Sequence, residues 1–416
     1  MNSLYFAPHQ LLPANTGARL RDYQLARQLA ARASVTFVEM RRADEGHVVS
    51  PEHSEFAGVV SLNKGRRYTP AKITRGLAGP VPMTVLNCWT PQLASQLATV
   101  LRSKQFDTVQ FEGVHLMEYL PVIQEAPESP AIVADWHNIE SELMWRYATT
   151  SCSWAKKIAA KRTAKLLERA EDRLLETCAV HTVTSERERD KLLARCPSAN
   201  IRVIPNGVDA SYYSERELAA ACRKTTGHSS KRIILFVGLM DYHANIDAVT
   251  WFSRRVWPQI ALNHPDTHFA IVGRDPVPEV RALASDRITV TGTVDDVRPY
   301  YAAAVAAVVP LRSGSGTRLK ILEAMAAGVP VISTRLGAEG IEAEKNIHLL
   351  LADTEHEFAE AISSVVSSAQ TRSRLSHAGK MLACKLYDWS VIGGQLYRIH
   401  EDLVETRMLG SLREVS

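Results

Sequence analysis

Short runs of β-branched and other apolar residues recur along this chain, and between them lie longer stretches whose apolar positions return every three or four residues. The runs at 34–38, 108–111, 131–134 and 179–184, and again at 233–237, 268–272, 288–290, 305–309 and 329–333, predict strands. The opening Met1-Asn2-Ser3-Leu4-Tyr5-Phe6-Ala7-Pro8 reads as one more short buried strand. Strands that alternate with helical stretches belong to parallel sheets with crossover helices, so the predicted fold class is α/β, made of doubly wound, Rossmann-like domains. The first series ends in Ile204-Pro205-Asn206-Gly207-Val208-Asp209, where the proline and Asn-Gly mark a turn, and 211–230 then runs polar with small residues. A second strand-first series starts at Lys231. This organisation predicts one domain over 1–208, a linker over 209–230 and a second domain over 231–387, with strand-end crevices available to face each other across a cleft. Asp388-Trp389-Ser390 offers a capping residue for a last helix, 388–416, whose apolar positions include Val391, Leu396, Ile399 and Leu403.

Composition narrows the function classes. With 416 residues and 46% apolar positions the chain can bury a sizeable core but is long for one ordinary domain. Lys plus Arg exceed Asp plus Glu by only 49 to 45, too little to announce a nucleic-acid binder. Cys88, Cys152, Cys178, Cys196, Cys222 and Cys384 are scattered and never form a C-x-x-C pair, which argues against zinc and a disulfide framework and fits a reducing cytoplasm. The N-terminus lacks the cationic start and long apolar stretch of a signal peptide, and the longest apolar run, 300–311, falls short of a bilayer span. Residues 153–173 interleave Lys156, Lys157, Lys161, Arg162, Lys165 and Arg169 with apolar positions at helical spacing. Such a helix either lies on an anionic membrane surface, at the inner face of the membrane, or packs its apolar face on the first domain.

The segment with the most chemistry is Val309-Pro310-Leu311-Arg312-Ser313-Gly314-Ser315-Gly316-Thr317-Arg318-Leu319-Lys320-Ile321-Leu322-Glu323-Ala324-Met325-Ala326-Ala327-Gly328-Val329-Pro330-Val331. A strand runs into a Gly/Ser loop that opens a helix, and unpaired amides at such a helix start favour phosphate. Arg318 and Lys320 sit against the helix dipole, a cost that a bound anion would offset. In the first half, Pro13-Ala14-Asn15-Thr16-Gly17-Ala18-Arg19-Leu20-Arg21-Asp22 joins the opening strand to a helix, and Val133-Ala134-Asp135-Trp136-His137-Asn138-Ile139-Glu140 breaks from a strand into a polar loop. Carboxyl ends of strands are where α/β sheets place their sites.

These motifs, with Phe236-Val237-Gly238, Ile271-Val272-Gly273-Arg274 and Val290-Thr291-Gly292-Thr293, taken in order, resemble the retaining glycosyltransferases of family 4, of the GT-B fold. The resemblance implies a hexosyltransferase that uses a UDP- or GDP-hexose as co-substrate, with no cofactor and no metal, and a saccharide or lipid-linked saccharide acceptor, in cell-surface polysaccharide or glycoconjugate synthesis. It assigns the second domain to the nucleotide sugar: Glu323 to the ribose, Arg318 and Lys320 to the diphosphate, and Gly17, Gly238, Arg274, Ser315, Gly316, Thr317 and Leu319 to the donor more broadly. Ser315 stands where the family often has a second glutamate, and Leu239 and Asn245 stand where many members carry an Arg and a Lys. Asp295-Asp296 reads as a helix start and not as a metal loop. In the first domain the resemblance places His137 against the transferred sugar, with Arg21, Glu112, Asp135 and Asn138 toward the acceptor. Arg21 equally fits a plain strand-to-helix turn. No obligatory nucleophile stands out, and the resemblance implies front-face transfer. It also implies that the last helix returns to the first domain. The rival reading is a sugar-nucleotide-binding protein that lost catalysis, motivated by Ser315 and the missing cations after Gly238.

Overall fold

The computed structural model describes residues 1–14, 16–42, 51–65, 69–150, 153–224, 232–314 and 318–414. In the first half seven parallel strands form one sheet in the order β3-β2-β1-β4-β5-β6-β7. They are β1 (Asn2–Ala7), β2 (Ser34–Arg42), β3 (Gly58–Lys64), β4 (Thr108–Glu112), β5 (Ala131–Trp136), β6 (Val180–Val183) and β7 (Ile201–Val203). Six strands form the second sheet, in the order β10-β9-β8-β11-β12-β13. These are β8 (Arg232–Val237), β9 (Thr267–Val272), β10 (Ile288–Val290), β11 (Ala304–Val309), β12 (Val331–Ser333) and β13 (Leu350–Leu351). Strand order reverses between β1 and β4 in one sheet and between β8 and β11 in the other, and a doubly wound sheet opens its ligand crevice at such a point.

The helices that matter below are α1 (Gly17–Ala30), α2 (Glu140–Thr150), α3 (Trp154–Thr177), α4 (Glu215–Lys224), α5 (His243–Trp251), α6 (Leu319–Ala326) and α7 (Trp389–Glu414). Helix α1 starts where the Thr16 hydroxyl accepts from the Arg19 amide, a side-chain cap for one of its unpaired donors. Among the described residues no helix is long and apolar enough to cross a membrane.

The chain divides into two compact units, Met1–Pro205 with Ile392–Ser416, and Asn206–Val391. Each has its own apolar core, as a separately folding domain requires. Leu4, Phe6, Val38, Val109 and Phe111 meet in the first, and Ile234, Phe236, Phe252, Phe269 and Ile271 in the second. The stretch expected as a linker differs from that expectation. It contains α4, whose Leu218 and Ala221 are buried in the second core. Strong helix formers in Glu215-Arg216-Glu217-Leu218-Ala219-Ala220-Ala221 outweigh the polar flanks. Val208 bridges Asp388, with the Val208 amide donating to the Tyr387 carbonyl at 2.8 Å, so the two passages of the chain between units begin side by side. The Asp388 carboxylate accepts from the Ser390 amide at 2.8 Å at the start of α7.

Candidate active site

In the first unit a polar cluster collects at the carboxyl ends of β4 and β5 and the start of α1. His137, whose side chain is 19% exposed, directs Nε2 at Asp22 Oδ1 (2.7 Å), Glu112 Oε2 (3.0 Å) and Asp135 Oδ2 (3.4 Å). The other Asp22 oxygen lies 2.7 Å from His9 Nε2. Burial disfavours charge on His137, but the Asp22 carboxylate, with Glu112 and Asp135 behind it, overrides this and lifts its pKa well above the usual range. Burial raises Glu112 to about 8, with repulsion from Asp135 and Asp22 adding to it. For Asp22 burial also pushes upward, but His137 and then His9 hold it well below the ordinary carboxylate range. The cluster thus separates one carboxyl that keeps its proton from another that releases it. Both nitrogens of a protonated imidazole donate. Nδ1 of His137 makes no hydrogen bond among the described residues and is the one left for a ligand hydroxyl.

Arg21 and Asp135 correct the sequence expectation. The Arg21 guanidinium is bidentate on Asp135, Nε to Oδ2 at 2.9 Å and Nη2 to Oδ1 at 2.7 Å, and also donates to the carbonyls of Ile204 (2.8 Å) and Pro205 (3.0 Å). With exposures of 1% and 0%, the pair forms the wall beneath the cluster and offers an acceptor no surface in this unit. Thr182 completes the wall by donating to Asp135 at 2.6 Å. Asn138 is half-buried beside His137, and Gly17 is exposed at the first position of α1. Asp22, Glu112 and His137 also present ligand atoms within 4.8 Å of one another, donor types that suit a cation. Here the Asp22 oxygens are engaged by two imidazoles.

In the second unit the turns after β8 and β9 touch. The Gly238 amide donates to the Val272 carbonyl and the Met240 amide to the Arg274 carbonyl, both at 3.0 Å. A Cβ on Gly273 would lie 1.6 Å from the Gly238 oxygen, so this approach requires glycine. Lys320 reaches the same turn. Its Nζ donates to Asn245 Oδ1 at 2.8 Å, lies 4.1 Å over the Phe236 ring, and would be 2.9 Å from a Cβ on Gly238. Asn245 in turn donates to the Leu239 carbonyl at 2.8 Å. Burial, reinforced by repulsion from Arg318 and eased by Glu323, lowers Lys320 to about 7. Arg318, 8% exposed, immediately precedes Leu319, the first residue of α6. Glu323 accepts from the Tyr301 hydroxyl at 2.9 Å, and burial raises its pKa. Tyr301 is itself fixed by an edge contact with Tyr213, centroids 5.5 Å apart. Gly238, Arg318, Lys320 and Glu323 are therefore brought to one end of the sheet. The Arg274 guanidinium lies 3.9 Å from Asp275. Ser315, Gly316 and Thr317 fall outside the described residues.

Sequence reasoning missed Asp22, His9 and Asn245. Asn245 was legible only as an absent lysine, although Lys320 arrives from another helix to occupy the place beside it.

Residues 17–212 match the model described as Glycosyltransferase Family 4, and residues 231–368 the one described as Glycosyl transferases group 1. The chain belongs to glycosyltransferase family 4. A similar relative is the phosphatidyl-myo-inositol mannosyltransferase of Mycolicibacterium smegmatis, 29% identical over 206 residues that cover 48% of this chain and 51% of that protein. The chain thus spans about half the length of the curated relatives it matches first. Among solved structures, sucrose-phosphate synthase from Thermosynechococcus elongatus superposes with a TM-score of 0.72 at 18% identity, over 98% of this chain and 100% of that one. Anabaena HepE, in complex with UDP and glucose, gives 0.64 at 16%, over 96% and 99%. The fold is that of the GT-B members of the family, two parallel-sheet α/β domains.

Proposed function

We propose that this family 4 chain is a retaining hexosyltransferase that moves a sugar from a UDP- or GDP-hexose to a saccharide or lipid-linked saccharide acceptor, in surface-polysaccharide or glycoconjugate synthesis. The observation that carries the reading is Lys320 against the Gly238 turn at the switch point of the second sheet, with Arg318 and Glu323 close enough to act on its charge. Departure of a nucleoside diphosphate develops negative charge. Fixed cations and helix-start amides at Arg318 to Lys320 stabilise it without calling on a protein-held metal. Glu323 supplies a carboxylate for ribose hydroxyls, and His137 supplies an N–H for the transferred sugar in the first unit. The mannosyl and glucosyl chemistry in the names of the relatives supports a hexose donor. Thermal-shift screening against UDP-, GDP- and ADP-sugars, followed by product analysis, tests the reading. A chain that no nucleotide sugar stabilises or transfers from would overturn it.

Gly17 gives a sharper check. A Cβ there would meet nothing within 4 Å, so protein packing does not require glycine and Ala is the better helix former. Gly17→Ala is expected to leave thermal stability unchanged or slightly raised while weakening donor turnover at least severalfold. Equal turnover by both proteins would remove Gly17 from the site.

For the acceptor, the relevant observation is α3. Ala160, Ala164, Leu166 and Leu167 are buried on its inner face, whereas Trp154 and Ile158 are 76% and 57% exposed beside exposed Lys156, Lys161 and Lys165. An indole and an aliphatic chain among lysines suit an anionic lipid surface and hence a lipid-linked acceptor at the cytoplasmic face. Cosedimentation with phosphatidylglycerol vesicles, lost in Trp154→Ala with Ile158→Ala, is the expected result.

A further inference from the structure

The central strand β4 reads Thr108-Val109-Gln110-Phe111-Glu112 and is buried throughout. Its apolar members join the first core, so Thr108, Gln110 and Glu112 share the opposite face. Buried polar groups on a central strand are costly unless paired. Here they are paired in series. Ser3 Oγ lies 2.8 Å from Thr108 Oγ1, which lies 2.8 Å from His400 Nδ1. His400 Nε2 lies 3.0 Å from Gln110 Oε1. Gln110 Nε2 donates to Glu112 Oε1 at 3.0 Å, and Glu112 Oε2 lies 3.0 Å from His137 Nε2.

With Gln110 Nε2 donating to Glu112, the donor and acceptor roles along the series follow. His400 is fully buried on α7 and burial lowers its pKa to about 3, so its ring is neutral and carries one proton. Gln110 Oε1 can only accept, which puts that proton on Nε2 and leaves Nδ1 to accept from Thr108. With its oxygen held, the Gln110 amide turns its nitrogen toward Glu112. The helix that bears His400 is itself seated closely: a Cβ on Gly393 would lie 2.1 Å from Gln28 Cβ on α1, the helix that supplies Asp22.

We propose that His400 is a positioning residue for His137, acting through Gln110 and Glu112, so that the returning helix α7 sets the hydrogen bonding of the sugar-contacting imidazole. The inference rests on the role given to His137 above. The ring is faced by Asp22 of α1, Glu112 of β4 and Asp135 of β5, with Glu140 of α2 acting on it electrostatically; behind these carboxylates stand His9 on Asp22, Arg21 on Asp135, and Tyr5 of β1 beside all three. Loss of the Gln110 donor removes a hydrogen bond from the ionised form of Glu112 and raises further a pKa that already stands at about 8, so less of the anion is left to stabilise an imidazolium in the range where Glu112 and His137 titrate together. The His137 midpoint therefore falls when the series is cut.

The test uses the full chain and follows the His137 Cε1–H resonance, assigned with His137→Gln, across pH. In Gln110→Met, which keeps length and volume, and in His400→Phe, the midpoint is expected to drop by about half a pH unit or more. His400→Gln can place a donor near the former Nε2 position and should restore it. Turnover of UDP-glucose or GDP-mannose should fall about tenfold in the first two variants and recover in the third. A folded Gln110→Met with an unmoved midpoint overturns the proposal, as does a folded His400→Gln that matches His400→Phe. If the wild type turns over neither donor the hexosyltransferase reading is in question, while the resonance still decides the positioning role.

Discussion

Asp22→Asn is expected to lower both the stability of the first unit and the turnover of the proposed hexosyl transfer. The carboxylate is 1% exposed and lies 2.7 Å from His9 Nε2 and from His137 Nε2. Removing one partner of a buried ionic group leaves the others uncompensated, a loss of about 3 kcal/mol or more. In a unit of this size that corresponds to a fall in melting temperature of roughly 6 to 12 °C. The pH dependence has a definite sign. The depressed pKa of Asp22 contributes stability above its unfolded value of 3.8, and this is lost as pH falls through the lower folded value. The raised pKa of His137 contributes fully below 6.5 and is lost as pH rises toward its folded value. The difference between wild type and variant should be widest at about pH 4 to 6.5 and narrow above it. Turnover should drop about a hundredfold, because His137 loses its nearest carboxylate and with it its orientation. Unchanged melting and turnover across this range would show that Asp22 does not organise the cluster.

Part of this organisation could be read from the sequence. The uninterrupted apolar runs at 233–237 and 269–272 lie in β8 and β9 because a strand covered on both faces needs apolar residues at nearly every position. Gly58–Lys64 escaped because its mostly half-buried Gly-Val-Val-Ser-Leu-Asn-Lys pattern lacks that continuity, and Ile201–Val203 because three residues carry too little pattern. His137 was legible as a polar break after a strand. Asp22 was not, since on its own it is one more charged residue on an amphipathic helix, and of its two partners His9 stands in an irregular loop and His137 far away in sequence. Arg21 was misread for the same reason: its ligands are Asp135 and the Ile204 and Pro205 carbonyls. The polar alternation in Thr108-Val109-Gln110-Phe111-Glu112 was the available signal that a buried strand carries a polar stripe. Only the placement of His400 beside it shows what the stripe is for.

Lys320→Met is the other substitution with a large expected effect, and its signature is a pH dependence. Burial, then Arg318, lowers the lysine to about 7, so near neutrality about half the free molecules carry the charge. A bound diphosphate favours the ammonium and raises the pKa again, so binding takes up protons. Affinity for UDP or GDP should be flat below about pH 7 and weaken up to tenfold per unit above it, until the bound-state pKa is passed. Calorimetry at pH 7 in buffers of different ionisation enthalpy should register about half a proton taken up. In Lys320→Met the slope and the proton uptake should vanish. Turnover should fall by about two to three orders of magnitude, because the leaving-group charge is largest in the transition state. Glu323→Ala should keep the slope, since the lysine remains, and chiefly weaken nucleotide binding through lost ribose contacts. A slope that survives in Lys320→Met would assign the titration to another group and remove Lys320 from the proposed diphosphate site.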